Sequence, residues 1–152
     1  MPVIMFRPSI AALAVAALIA TGTCSFADTV SFKAELSGVR EVPPTQSKGT
    51  GSLRATLDTA SNTLTWTGSY SGLSGPVTGA HFHGPVSYVG MTSEQNAPIQ
   101  VGTQGSLASP FKGSTAITDT QAKDLLDGRW YFNIHTPANK DGEIRGQIVK
   151  IY

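Results

Sequence analysis

Apolar and polar residues alternate along several short stretches of this chain, and glycine, serine and threonine separate these stretches at short intervals. Alternation with a period of two is typical of β-strands that bury one face, and frequent turn residues indicate many short strands. Leu64, Trp66 and Tyr70, for example, fall on the same face of one such stretch. The pattern predicts strands over 30–36, 51–58, 63–70, 77–83, 98–101, 111–118, 130–136 and 144–151, with a turn at Ser61-Asn62.

One segment instead has the composition of a helix. Thr118 or Asp119 provides a side chain that caps a helix start, residues 121–126 include good helix formers, and Gly128 suits a helix end. Seven or eight strands with one short helix predict an all-β fold. We expect an antiparallel sandwich or a flattened barrel.

The N-terminal segment has the features of a secretory leader. Residues 10–20 form an apolar stretch that is short for a membrane span, Arg7 gives a weakly positive start, and small residues precede Asp28. These features predict a signal peptide over 1–27 and a single domain over 28–152. The protein is therefore expected to be exported, either periplasmic or secreted, without stable membrane insertion. A retained membrane anchor is the alternative.

Charge and cysteine content exclude several classes of function. The chain has 11 Lys and Arg residues against 10 Asp and Glu residues, and its net charge is +1. It contains no basic block, so binding to nucleic acid or to an anionic membrane has no electrostatic basis. The single cysteine, Cys24, lies in the predicted leader. The mature domain would therefore have neither a cysteine metal site nor a cysteine nucleophile.

The three histidines lie in two of the predicted strands. One residue separates His81 from His83, and His135 lies in the strand over 130–136. Because alternate side chains of a strand share a face, His81 and His83 point the same way, about 6.6 Å apart along the strand. A third imidazole from another strand would complete a trigonal set of ligands. The structural alternative is two exposed histidines and one hydrogen-bonded histidine in the core.

Imidazole ligands favour copper or zinc over calcium and magnesium, which prefer oxygen ligands. Copper binds most tightly at such a site according to the Irving–Williams order. The sequence therefore predicts one copper ion per chain at His81, His83 and His135, with zinc as the alternative. A three-histidine zinc site with an open position would be hydrolytic if a base lay nearby, and Glu143 is the nearest candidate in sequence.

Three blocks of the sequence resemble the CHRD domain, which is named after chordin and is found in many exported bacterial proteins. The blocks are LSGVREVPPTQSKGTGSL at 36–53, YSGLSGPVTGAHFHGP at 70–85 and LLDGRWYFNIHTPANKDGEIRGQI at 125–148. The last block is the most specific, because a strand, His-Thr, a short loop and Gly-Glu-Ile-Arg-Gly follow in fixed order. The resemblance covers almost the whole predicted mature chain. It does not imply a function, because the family has no settled biochemical role.

A weaker resemblance is to the copper half of copper/zinc superoxide dismutase, which is an eight-stranded Greek-key barrel. His81 and His83 match its His-x-His pair, and His135 matches its late-strand copper histidine. Arg145 resembles the arginine that steers the anionic substrate in that enzyme. The resemblance implies a Greek-key sandwich or flattened barrel of superoxide dismutase type, and a copper site with three histidines. Because the bridging histidine and the zinc ligands of that enzyme have no counterpart in this sequence, it implies no second, zinc-binding site.

Two further residues on the predicted closing strand are candidates for supporting the metal ligands. Glu143 and Arg145 flank Ile144, so we expect them to share a strand face. They would support the histidines or form a rim that attracts anions. The alternative is a structural ion pair, or hydrogen bonds that hold the loop at 137–142. Glu41 is a candidate partner for Arg145 across the fold.

Asn133 shares its predicted strand face with His135 and is a candidate for orienting that ring. A hydrogen bond on the sheet surface is the alternative for this asparagine. Three histidines leave a copper ion with an open position. Met91, Tyr88, a water molecule or a partner chain would supply a fourth ligand.

Two classes of function stay open on the sequence alone. The first is an exported copper-binding protein that acts as a carrier, a buffer or a redox protein. The second is a non-metal extracellular module of CHRD type with an interaction or structural role. The sequence favours a non-enzymatic role, since the bridging histidine of the copper/zinc enzyme is missing. The enzymatic alternative is a copper-dependent redox activity of superoxide dismutase type.

Overall fold

The computed structural model describes residues 28–87 and 95–152. The predicted leader over 1–27 lies outside the described residues, as do Tyr88 and Met91. The described elements, in chain order, are β1 (Thr29–Ser37), a short 3-10 helix (Gly38–Arg40), β2 (Thr50–Asp58), β3 (Thr63–Ser71), β4 (Gly79–His83), β5 (Ile99–Gly102), β6 (Phe111–Ala116), α1 (Asp119–Leu126), β7 (Tyr131–Thr136), β8 (Asn139–Gln147) and β9 (Val149–Ile151).

The strands form one antiparallel sheet, which curls into a half-barrel. Its order is β5-β4-β7-β8-β1-β2-β3-β6, and β9 pairs with β1. The all-β prediction with one short α-helix is confirmed. The structure describes nine strands rather than seven or eight. The predicted strand over 144–151 is divided at Ile148, whose backbone N–H donates to Trp130 O, and β8 begins earlier than predicted, at Asn139.

The alternation of apolar residues builds the core on the inner face of the curled sheet. Phe32 of β1 lies opposite Ala55 of β2, and Ala34 lies opposite Leu53. Burying such side chains contributes about 1.5–3 kcal/mol each for the larger residues. The largest fully buried side chains are Trp130, Tyr131, Phe32, Phe82, Phe132, Leu53, Leu57, Leu64, Leu125, Ile134, Ile144 and Ile148.

Helix α1 begins and ends where its sequence signals predict. The hydroxyl of Thr118 accepts a hydrogen bond from Gln121 N, and the side chain of Gln121 accepts one from Thr118 N. This reciprocal capping satisfies two backbone donors that the first turn of a helix leaves free. Gly128 follows the helix with φ +72°, a conformation that glycine adopts readily. Ala122 and Leu125 are the residues of the helix that are buried.

The pairing of β4 with β7 positions the histidines. Phe82 lies opposite Phe132, and both side chains belong to the core. Because side chains alternate between faces, His81, His83 and His135 all project from the opposite, outer face of these two strands. The two histidine-bearing strands of the sequence are therefore neighbours in the sheet.

Candidate metal centre

The three histidines converge on this outer face. Their ligand nitrogens all lie within 4.8 Å of one another. The register places Gly79 of β4 opposite His135 of β7. A Cβ atom on Gly79 would lie 2.9 Å from Cε1 of His81, so the missing side chain leaves room for the His81 ring. Strand register and this glycine together bring His81 and His135 into contact.

His83 and His135 each hydrogen-bond a backbone carbonyl through Nδ1. Nδ1 of His83 lies 2.7 Å from Ala97 O, and Nδ1 of His135 lies 2.9 Å from Lys140 O. A carbonyl oxygen only accepts, so Nδ1 of each ring carries the proton and Nε2 of the neutral ring keeps a free lone pair. In metal sites, the ring nitrogen of a histidine that does not bind the metal usually donates its hydrogen to a carbonyl, a carboxylate or a water molecule.

The two Nε2 atoms have different surroundings. Nε2 of His135 lies 3.0 Å from Nδ1 of His81, so His81 donates a hydrogen bond to it in the metal-free protein. Nε2 of His83 is buried and has no hydrogen-bond partner of normal length, although the side chain of Asn133 lies near enough to the ring to act against the lowering of its pKa. A buried acceptor left in this way costs about 1–3 kcal/mol. A metal ion bound to this nitrogen would satisfy its free lone pair.

The spacing of the rings fits a single ion. Metal–nitrogen bonds of about 2.0–2.1 Å place two nitrogens on one ion roughly 3.0–3.4 Å apart. The nitrogens of His81 and His135 are 3.0 Å apart. The ring centroid of His83 lies 5.7 Å from that of His81 and 6.3 Å from that of His135. Three imidazoles in this arrangement suit copper or zinc.

Burial keeps two of the rings uncharged near neutral pH. Burial, followed by the charges of His135 and His83, lowers the pKa of His81 to about 4. Burial also lowers the pKa of His83, although its hydrogen bond to Ala97 acts in the opposite direction. Only neutral imidazole ligates a metal. His81 and His83 are therefore neutral at pH 7, as ligation requires, but His81 would bind through Nδ1 only after its ring proton moves to Nε2.

Glu143 lies in a separate cluster of hydroxyl groups. Its carboxylate accepts hydrogen bonds from Ser47 Oγ at 2.7 Å, from Ser74 N and Oγ at 2.7 and 2.6 Å, and from Thr136 Oγ1 at 2.5 Å. Burial acts to raise the pKa of Glu143, but these hydrogen bonds outweigh it and lower the pKa to about 2. The carboxylate joins two loops to the end of β7, and its contacts within the described residues include none of the histidines.

Arg145 is buried, with 3% of its surface exposed. Its Nη1 donates to Asn96 Oδ1 at 3.1 Å, and its Nη2 donates to Gln95 O at 2.9 Å. The guanidinium carbon lies 3.3 Å from the ring centroid of Tyr131. The guanidinium charge thus faces Gln95, Asn96 and the ring of Tyr131 rather than bulk solvent.

Asn133 and Glu41 form a buried polar pair next to Arg145. A Cβ atom on Gly142 would contact both Glu41 Oε1 and Asn133 Nδ2, so this glycine lets the two side chains approach. Asn133 Nδ2 donates weakly to Asp141 O at 3.5 Å, and the side chain of Asn133 also interacts with Glu41 and His83. In the described structure Glu41 Oε1 and Asn133 Oδ1 have no hydrogen-bond partner of normal length. Burial raises the pKa of Glu41 to about 7, and the charge of Arg145 opposes this rise.

Three features of the site have no signal in the sequence. The carbonyl groups of Ala97 and Lys140 orient two histidines, but every residue carries a carbonyl group. The ring of Tyr131 stacks on His83, yet a buried tyrosine in a strand is ordinary in a core. The strand register and the path of the loop before β5, which the alternation pattern does not contain, place these groups beside the histidines.

Within the described residues, no helix is long and apolar enough to span a bilayer.

Comparison with known proteins places the chain in a family. No curated protein and no solved structure shows significant similarity to the chain. The family model of the CHRD domain matches residues 32–148, which include all three histidines and nearly every strand. This match supports an extracellular module, and the chain belongs to the CHRD domain family.

Proposed function

We propose that this CHRD domain is an exported copper-binding protein that holds one copper ion through His81, His83 and His135. One observation carries the proposal: each of the three rings offers a nitrogen within 4.8 Å of the other two, and the buried Nε2 of His83 has no hydrogen-bond partner of normal length. Folded proteins rarely leave a buried acceptor unsatisfied. A bound ion would satisfy it and would replace the hydrogen bond between His81 and His135.

The choice of metal follows from the ligands. All three are nitrogen donors, and within 28–87 and 95–152 no cysteine or carboxylate belongs to the cluster. Copper has the highest affinity among divalent first-row metals for such a set, and zinc is the alternative. Water, or a residue outside the described ranges such as Met91 or Tyr88, would provide a fourth ligand.

A carrier or buffer role suits the surroundings of the site better than catalysis. The carboxylate of Glu143 is held by hydroxyl groups and by a backbone N–H, so it is not placed as a general base for a zinc-bound water. The guanidinium of Arg145 is buried against Tyr131, so it does not form an exposed rim for anions. His81 and His135 are only partly buried, and this side of the cluster would let an ion exchange with solvent or with a partner.

Copper titration of the chain starting at Asp28 tests the proposal. The metal-free protein is titrated with Cu(II) against a competing chelator, and we expect one tight site per chain. His81→Ala/His83→Ala should lose that site while the unfolding midpoint shows that the domain still folds. Asn139→Ala is the matched control, because Asn139 lies on the neighbouring hairpin and its side chain bonds only to Ser74 Oγ within the described chain. Copper affinity that is equal in the double variant and the wild type would reject the site.

The export part of the proposal has its own test. Expression of the full chain in a bacterial host, followed by intact mass measurement of the exported protein, should give a species that begins at Asp28. A species that retains residues 1–20 would contradict cleavage after Ala27.

A non-metal extracellular interaction module is the second candidate. Membership of the CHRD family favours it independently of the histidines. It becomes the better interpretation if the wild-type domain binds neither copper nor zinc in the titration.

A further inference from the structure

Residues 95–98, here called the strap, cross the outer face of the sheet beside His83. The Nδ1–H of His83 donates to Ala97 O at 2.7 Å, and Ala97 N donates to Tyr131 Oη at 3.1 Å. Gly84 N donates to Pro98 O at 3.1 Å. Ala97 is thus bonded through both backbone groups, one to the histidine and one to the tyrosine that stacks on it.

The other end of the strap is bonded to Arg145. This arginine donates through one nitrogen to Gln95 O and through another to Asn96 Oδ1, at 2.9 and 3.1 Å. The side chain of Asn96 also donates to Val42 O at 2.8 Å, which ties the strap to the loop after β1. Two donors in the fixed fork of one guanidinium bond consecutive residues, so they determine both the position and the direction of the strap.

From this arrangement we infer that Arg145 is a positioning residue for His83, and that it acts through the strap. Arg145 holds Gln95 and Asn96, and Ala97 O is consequently aimed at Nδ1 of His83. That carbonyl fixes the rotation of the ring and keeps the proton on Nδ1. Nε2 therefore stays unprotonated and free to bind a ligand. Arg145 acts here as an internal scaffold rather than as a group that attracts anions.

The geometry explains why arginine is required at this position. A lysine ammonium would provide a point charge but no planar fork, so it would hold at most one of the two strap residues in the same way. The guanidinium carbon also lies over the ring of Tyr131, 3.3 Å from its centroid, and the same ring stacks on His83 of β4. Arg145 therefore supports His83 by two routes, through the strap and through the aromatic ring.

The first test needs no metal. Long-range ¹H–¹⁵N spectra of the imidazole rings in the metal-free protein report which nitrogen carries the proton. In the wild type we expect His83 to be protonated at Nδ1 alone. In Arg145→Lys and in Asn96→Ala we expect a mixture of the two tautomers at His83. His135 should not change, because its Nδ1 bonds to Lys140 O on a different segment.

The variants are chosen so that the domain still folds. Arg145→Lys keeps a positive charge near the buried Glu41, and Asn96 is exposed, so its truncation leaves no cavity. Arg129→Lys is the matched control, since the Arg129 side chain bonds to Asp124 at 2.8 Å and has no hydrogen bond to the strap among the described residues. An unchanged His83 tautomer in both Arg145→Lys and Asn96→Ala would overturn the inference, whatever the domain binds.

The second test uses copper and rests on the proposed function. Loss of groups that orient a metal-ligating histidine typically lowers metal affinity about 10–100-fold. We expect a loss in that range for Arg145→Lys and one near its lower end for Asn96→Ala, with no loss for Arg129→Lys. If the wild type binds no copper but the tautomer of His83 shifts, the positioning role stands and the copper proposal fails. If copper binds equally well in all four proteins, the positioning role is rejected and the copper proposal survives.

Discussion

The ring of Tyr131 lies parallel to the imidazole of His83, with ring centroids 4.9 Å apart and planes 2° apart. Tyr131 is on β7, between His83 on β4 and Arg145 on β8. Its ring therefore separates a candidate metal ligand from a buried cation. The stack sets the plane of the His83 ring, while the bond to Ala97 O sets its rotation within that plane.

Two substitutions at Tyr131 distinguish the contribution of its ring to stability from the contribution of its hydroxyl group. Tyr131→Phe keeps the stack but removes the acceptor for Ala97 N, so we expect a loss of about 1 kcal/mol in the free energy of unfolding. Tyr131→Leu also loses the aromatic stack and the contact with the guanidinium, and should cost at least about 1 kcal/mol more. Urea denaturation measures both values. Equal losses for the two variants would show that the stack does not stabilise the domain.

Much of the fold is predictable because its signals are local. The alternation in β3 places Leu64 and Trp66 on the buried face, and both are buried in the structure. The cap at Thr118 and the positive-φ residue Gly128 define α1 within its own sequence. The number of strands is less predictable, because the division at Ile148 depends on its bond to Trp130 O, a contact between distant parts of the chain.

The candidate site is only partly predictable for the same reason. That His81 and His83 share a face follows from the strand period alone. That His135 lies beside them requires the pairing of β4 with β7, which alternation does not determine. Glu143 and Arg145 flank one core residue, yet one bonds to hydroxyl groups and the other to the strap. Their partners come from loops whose positions follow from the whole fold.

Glu143→Gln should destabilise the domain strongly. The pKa of this carboxyl group is lowered from 4.5 to about 2, so its ionised form is bound more favourably in the folded state. The stabilisation is fully present above the unfolded pKa and is lost as the pH falls from about 4.5 to 2. A shift of this size corresponds to roughly 3 kcal/mol. Thermal unfolding at pH 7 and pH 3 measures it.

The matched control for this change is Glu35→Gln, because Glu35 is exposed on β1. We expect a change within about 0.5 kcal/mol for the control. If Glu143→Gln is as stable as Glu35→Gln at pH 7, the hydroxyl cluster does not favour the carboxylate.

Glu41→Gln, unlike Glu143→Gln, should stabilise the domain at alkaline pH. The pKa of Glu41 is raised from 4.5 to about 7, mainly by burial. Between these two values the folded protein holds a proton that the unfolded chain has lost, so stability falls as the pH rises. Glutamine has no charge to bury, so the variant should match the wild type near pH 4.5 and exceed it at pH 8 by on the order of 1–3 kcal/mol. Denaturation curves at both pH values measure the difference, and a variant that is less stable at pH 8 would show that the ionised carboxylate is favourably bound.

Gly79→Ala should weaken metal binding without removing a ligand. The added Cβ would lie 2.9 Å from Cε1 and 3.2 Å from Nε2 of His81, so the ring must move away from its place beside His135. Gly102→Ala is the matched control on the neighbouring strand β5. Its Cβ would lie 3.8 Å from Cδ2 of His81, which is ordinary contact. In the copper titration we expect roughly tenfold weaker binding for Gly79→Ala, which is the lower end of the range for misplaced ligands, and wild-type binding for Gly102→Ala. Equal affinities in the two variants would mean that His81 does not have to lie over Gly79 in order to hold the ion.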